Sequence, residues 1–188
     1  MNAVFSEAEF EKFVLALRYA SIQHCDQRRK GQLKAPYINH PLELVSILWE
    51  VGGIRDMDTL VAALLHDTVE DTSSKPEEIS QMFGEEVQSL VMELTDDKNL
   101  PKAERKRLQV EHAPHKSPRA RQIKLADKIS NVKEISEDPP DNWEISRRIE
   151  YLNWTEQVVN GLRGHHPALE ARFDEVLAQG RARFEHQK

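Results

Sequence analysis

The 188 residues hold 26 lysines and arginines against 32 aspartates and glutamates, a formal net charge of -6, with 39% hydrophobic residues, the balance of one folded globular domain rather than a disordered or fibrous chain. An acidic total argues against a general nucleic-acid binder, and no apolar run approaches the ~18 residues of a membrane span. The acidic start of the chain lacks the features of a secretory leader, and the lone Cys25 can form neither an internal disulfide nor a cysteine-based zinc site, so a cytoplasmic protein is expected.

In chain order the pattern is helical throughout. Ser6-Glu7-Ala8-Glu9 is a capping box, and Phe10, Phe13, Val14, Leu17 and Ser21 follow at helical spacing, predicting a first helix to about Cys25. Gln27 to Gln32 reads as a loop. Pro41 is suited to open a second helix carrying Leu44, Val45 and Leu48, which Gly52-Gly53 ends. Asp58 can cap a helix from Thr59 to about Val69, apolar on nearly every side and therefore central. Ser74 to Phe83 predicts a short capped helix closed by Gly84, and Val87, Leu90, Val91 and Leu94 mark another.

Lys102 to His112 reads as a basic helix, and Ser117-Pro118 opens one with Ile123, Ala126, Ile129 and Val132 in a stripe. After the break at Pro139-Pro140, Trp143 to Leu162 and Pro167 to about Phe184 supply two more. No hairpin, strand or internal repeat is evident. The expected architecture is an all-α, single-domain bundle over residues 1–188, with its core over about 6–162 and a C-terminal helix at about 167–184.

Between Lys98 and Lys124 cations gather on an otherwise acidic chain: Lys98, Lys102, Arg105, Lys106, Arg107, Lys116, Arg119, Arg121 and Lys124. A local basic zone suits a small polyanion better than a long one, although any single member of such a run can simply face water.

The chemistry concentrates in His66-Asp67-Thr68-Val69-Glu70-Asp71. If the helix persists, His66 and Glu70, and Asp67 and Asp71, stand four apart and project together from the end of an apolar helix. Carboxylates there face the unfavourable end of the helix dipole and need a reason, which solvation or a metal ion would each supply. His40, just before Pro41, and Asp127, beside the apolar stripe of its helix, are weak signals singly. Together with His66 and Asp67 they form a mixed nitrogen and oxygen set suited to manganese or a similar divalent ion.

The order His40, His66-Asp67, Asp127 resembles the metal signature of the HD superfamily. Arg28-Arg29-Lys30, Pro36 to Pro41, His66 to Thr72 and Leu125 to Asn131 resemble the hydrolase domain of the RelA/SpoT homologues. Thr95 to Lys98, Pro101 to Lys106 and Trp154 with Gln157-Val158-Val159 are similar to its single-domain branch, the small alarmone hydrolases related to metazoan SpoT homologues. Gly31 to Ala35 departs from the loop many relatives carry.

The resemblance implies an HD-type helical hydrolase that removes pyrophosphate from the 3′ position of guanosine 3′-diphosphate 5′-di(tri)phosphate, (p)ppGpp. It implies Mn²⁺ on His40, His66, Asp67 and Asp127, with Glu70 and Asp71 positioning and deprotonating the attacking water. It places Arg29, Lys30 and Tyr37 beside the nucleotide, Asn131 and Tyr151 near sugar and phosphates, and Lys102 and Arg147 as phosphate ligands. The partner is thus a small nucleotide, with no nucleic acid and no membrane. An adenosine alarmone, the 2′-phosphate of NADPH or a nucleoside 5′-monophosphate are alternative substrates, and a catalytically silent alarmone sensor is a further alternative.

Overall fold

The computed structural model describes residues 5–185; residues 1–4, part of the leader argument, and 186–188 lie outside it. Helix α1, Glu7–Gln23, opens at the expected capping box, the Glu9 N–H donating to Ser6 Oγ at 3.2 Å and the Ser6 N–H to Glu9 Oε2 at 2.8 Å. Its buried face differs from the predicted stripe. Ala16 and Ala20 are buried, Phe13 and Leu17 pack at the margin, and Phe10 and Val14 stay exposed. Two alanines let α1 sit close to the helix beneath, which leaves the larger side chains at the rim.

Helix α2, Asn39–Glu50, starts two residues before Pro41, so His40 lies within its first turn rather than ahead of it. Pro41 is tolerated because N–H groups of a first turn have no intrahelical acceptor. Helix α3, Met57–Leu65, is capped by Asp56, which accepts the Thr59 N–H at 2.9 Å; Asp58 instead pairs with Lys12 at 2.6 Å. Helix α3 ends at Leu65, short of the predicted Val69, and a single turn, α4, Thr68–Asp71, follows.

No proline or glycine marks that break. His66 Nδ1 meets the Ala63 carbonyl at 2.9 Å and the Thr68 hydroxyl donates to the Leu65 carbonyl at 2.7 Å, so side-chain donors take over acceptors that the backbone would have used.

The remaining helices fall close to their predicted spans: α5, Pro76–Phe83; α6, Glu85–Leu94; α7, Lys102–His112; α8, Pro118–Glu137; α9, Ile145–Asn160; α10, Pro167–Glu185. Gly84, at φ 95°, closes α5 and opens α6 in a conformation that disfavours a side chain. Among the described residues the only other regular structure is a 3₁₀ turn, Ala113–His115, and an isolated bridge between Arg28 and Pro36. Among the described residues, no helix is long and apolar enough to cross a membrane.

Helix α3 is the hub, packed on α1, α2, α6 and α8, and α8 spans the molecule against α2, α9 and α10. The predicted stripe of α8 is buried, but so are Lys124, Asp127, Lys128 and Ser130 on its other faces. Buried charges need partners. The place where α8 buries them is where α3 ends.

Candidate functional site

The end of α3, the first turn of α2 and the middle of α8 converge on one point. One ligand atom each from His40, His66 and Asp67 lies within 4.8 Å of the others. Asp127 falls outside that mutual span, yet its Oδ1 is 3.4 Å from His40 Nε2. His40 Nδ1 bonds Ser130 Oγ at 3.0 Å, whose hydroxyl in turn donates to Glu43 at 2.7 Å. The serine proton being spent on Glu43, the imidazole must donate, which leaves its Nε2 with a lone pair facing the carboxylates.

His66 is in the same state. With Nδ1–H given to Ala63, its buried Nε2 has no hydrogen-bond partner and stands 2.9 Å from Asp67 Oδ2. Two acceptors at that distance call for a shared cation, a proton or a metal ion. Burial alone would push the His66 imidazole down, but Asp67 overrides it and holds the group above its ordinary range; at His40 burial prevails and the shift is downward. Burial likewise pushes both aspartates upward, but His66 at Asp67 and Lys128 at Asp127 outweigh it, so both stay ionised. Neutral or cation-shared imidazoles beside ionised carboxylates form a donor set that fits a divalent ion.

His40, Asp67 and Asp127 floor a cavity of about 410 Å³. Ten cationic side chains line it against seven carboxylates, the reverse of the balance of the whole chain. Every residue predicted for the site lines it except His66, which lies behind Asp67. Tyr37 donates to Asp67 and Asn131 to Asp127, so both reach carboxylates of the cluster from the cavity wall. Burial and the Asp67 charge push the Tyr37 phenol upward, keeping it a donor.

Glu70 and Asp71, on α4, sit at the cavity edge. Glu70 accepts the Asp96 N–H at 3.1 Å and lies 3.3 Å from Lys98 Nζ, which also pairs with Asp71. Burial raises the Glu70 carboxyl against the opposing pull of the Asp96 amide. On the far wall Tyr151 lies between Trp143 and Trp154, at ring separations of 5.6 and 5.4 Å, and Arg147 covers the Trp143 ring at 4.4 Å. Lys102 is held below the ordinary lysine range by burial, then by Arg147, Lys30 and Arg105. Such crowding of cations is a site waiting for an anion.

The basic zone divides. Lys98, Lys102, Arg105, Lys106 and Lys124 line the cavity, while Arg107 pairs with Glu104 and Glu111, and Arg119 with Asp56 and Glu86. Sequence reasoning did not single out Lys128, which holds Asp127 at 3.2 Å, nor the Glu43–Ser130 support of His40, nor Glu134, which forms a two-toothed ion pair with Arg29. For Glu134 a signal existed: with Asp127 and Asn131 it falls on one helical face.

The HD domain family model matches residues 16–152. The chain belongs to the HD domain family. It is similar to the guanosine-3′,5′-bis(diphosphate) 3′-pyrophosphohydrolase MESH1 of Xenopus tropicalis, 51% identical over 162 residues that cover 86% of this chain and 90% of the relative. The Homo sapiens protein of the same name is 46% identical over 172 residues, 92% and 96% of the two chains. Among solved structures, one described as a metazoan ortholog of SpoT that hydrolyzes ppGpp superposes with a TM-score of 0.89 at 44% identity, covering 94% of this chain and 98% of that one. The all-helical architecture and the His/Asp cluster are those of an HD domain.

Proposed function

We propose that this HD domain protein is a cytoplasmic, Mn²⁺-dependent hydrolase that converts (p)ppGpp to GDP or GTP and pyrophosphate. The observation that carries the reading is the meeting, in one cavity, of an imidazole–carboxylate cluster, a separate carboxylate pair and an excess of cations. The named activity of the similar MESH1 proteins supports it.

In this reading His40, His66, Asp67 and Asp127 hold the ion, and two imidazoles among the donors favour Mn²⁺ over Mg²⁺. When bound, the ion supplies Lewis acidity toward the phosphoryl oxygens and the attacking water. Water adds to the phosphorus on the ribose 3′-oxygen, the P–O3′ bond breaks, and the 3′-oxygen gains a proton. Asp71 takes the proton of the water. Glu70, whose carboxyl burial raises, is the member of the pair suited to hold a proton for the leaving oxygen. Lys102, Arg147 and Lys30 meet the phosphates through charge-assisted hydrogen bonds, and Tyr151 with its two indoles, their planes inclined to its own at 59° and 54°, offers aromatic surface for base or sugar. Arg29, already neutralised by Glu134, presents its guanidinium plane beside Tyr37, 5.6 Å from that ring, rather than a free charge.

The test is the purified protein assayed against guanosine and adenosine 3′-pyrophosphates, NADPH and nucleoside 5′-monophosphates, with products resolved by chromatography. Pyrophosphate release from the guanosine substrate, abolished by chelator and restored better by Mn²⁺ than by Mg²⁺, is expected. Full activity in chelator, or cleavage of 5′-monophosphates alone, overturns it.

A further inference from the structure

The segment from Arg28 to Pro36 closes on itself beside the cavity: the Arg29 N–H donates to the Ala35 carbonyl at 2.9 Å and the Lys34 N–H to the Gly31 carbonyl at 3.2 Å. It carries Arg29 and Lys30 into the cavity wall. Its turn is not one the residues favour by themselves, since Lys34 sits at φ 49°, in the left-handed region. Something outside the loop must hold it.

That restraint is Asp138. It caps the C-terminus of α8, its own N–H bonded to the Glu134 carbonyl at 2.7 Å, and a carboxylate there meets the negative end of the helix dipole. The offsetting contacts come from the loop. The Gln32 N–H donates to Asp138 Oδ1 at 2.8 Å, and the Leu33 N–H is shared between both carboxylate oxygens at 3.3 Å. Consecutive amides converging on one carboxylate form an anion-holding nest.

Gly31 makes the approach possible. It is buried, and a Cβ added there would stand 2.0 Å from Asp138 Oδ2 and 2.5 Å from the Asp138 carbonyl oxygen. No side chain fits. The loop is also tied one turn earlier, where Arg29 donates to Asn131 at 2.9 Å and pairs with Glu134. Asp127, Asn131, Glu134 and Asp138 thus follow one face of α8, from the imidazole cluster to the loop.

We infer that Asp138 and Gly31 form a latch that seats the Arg29–Lys30 loop on α8 and thereby sets the affinity for the nucleotide. Asp138 touches no substrate; it is a positioning residue. The inference about affinity rests on the nucleotide-hydrolase reading, whereas the latch itself can be tested without it.

The experiment compares wild type with Asp138→Ala, Asp138→Asn, Gly31→Ala and the Gly31→Ala/Asp138→Ala double variant, on the Mn²⁺-loaded protein with the guanosine 3′-pyrophosphate substrate. Loss of charge-assisted bonds that act equally on ground and transition states gives a KM raised about tenfold with kcat within about twofold and metal content unchanged. The double variant should stay within about twofold of Asp138→Ala, because a released loop cannot be released again. Independently, hydrogen exchange of the amides in residues 28–36 should quicken about tenfold or more in every variant. The isosteric Asp138→Asn, which keeps the shape of the side chain, serves should the alanine variant fold poorly. Wild-type exchange with an unmoved KM overturns the latch. A fall in kcat and metal content with KM unmoved also overturns it, by making Asp138 a structural residue. If the wild-type protein does not cleave the nucleotide, the functional reading falls while the exchange measurement still decides the latch.

Discussion

In α3 every residue but Asp58 is buried, whereas in α7 none is. Helix α7 lines the cavity, and α3 ends just behind it. Helix α3 delivers His66, Asp67 and α4 from a position fixed on several sides by packed aliphatic side chains. Helix α7 presents Lys102, Arg105, Lys106 and Gln109 to the cavity along one face, and apart from the partly buried Val110 its anchors are polar. Trp154 Nε1–H donates to the Lys106 carbonyl at 3.0 Å, and Lys128 reaches Gln109 at 3.1 Å. The chemistry of the site needs sub-ångström placement and is rooted in the core, while the recognition of a flexible polyanion needs charge and stands on a helix that burial does not hold.

The strongest way to sharpen that contrast is Glu70→Gln. Removing a group proposed to move a proton should lower kcat by about 10²–10⁴-fold with metal content retained. The same variant should be more stable than wild type when metal-free. The folded Glu70 carboxyl lies above its ordinary value, so the ionised form is penalised in the fold and stability is lost as pH rises from the unfolded pKa through the folded one. Thermal unfolding at pH 7 should therefore favour the glutamine, and the gap should close in acid below the unfolded pKa. A glutamine variant with more than half the wild-type rate would reduce Glu70 to solvation of a helix end.

Next in size is Leu64→Ala. Leu64 is wholly buried in α3, and its truncation should cost about 2–5 kcal/mol in denaturant unfolding, with loss of metal retention as His66 and Asp67 loosen. A cost under about 1 kcal/mol would mean that α3 is not a rigid root for the site.

The smallest effect on stability is expected for Lys102→Ala on α7. Its ammonium sits among Arg147, Lys30 and Arg105, so deletion relieves repulsion, and stability should stay within about 0.5 kcal/mol of wild type while KM rises several-fold. Destabilisation on the scale of Leu64→Ala would erase the distinction between the two helices.

Much of this was legible in the residues themselves. The Ser6 capping box, the Val87–Leu94 stripe and the Pro118 start of α8 state local physics that the fold did not override. The cluster of His40, His66 and Asp67 was legible through residue type and family resemblance together. The break between α3 and α4 was not, because it is made by His66 and Thr68 side chains bonding carbonyls of their own helix, and no breaker residue announces that. Nor was the sorting of cations. Lys106 and Arg107 are neighbours in sequence, yet one lines the cavity and the other pairs with Glu104 and Glu111, a difference fixed only by how α7 is rotated against α9.

The aromatic group on the far wall has an optical consequence. Of the three tryptophans, Trp143 and Trp154 line the cavity and each carries cationic groups over its ring: Arg147 at 4.4 Å from the first, Lys106 and Lys128 each at 4.6 Å from the second. The third, Trp49, is set apart under Arg55 and beside Phe5. An anion that draws those cations toward itself changes the field across two indoles and leaves the third untouched. The intrinsic emission of the protein is therefore a built-in gauge of whether the cavity is filled, needing no label and no turnover.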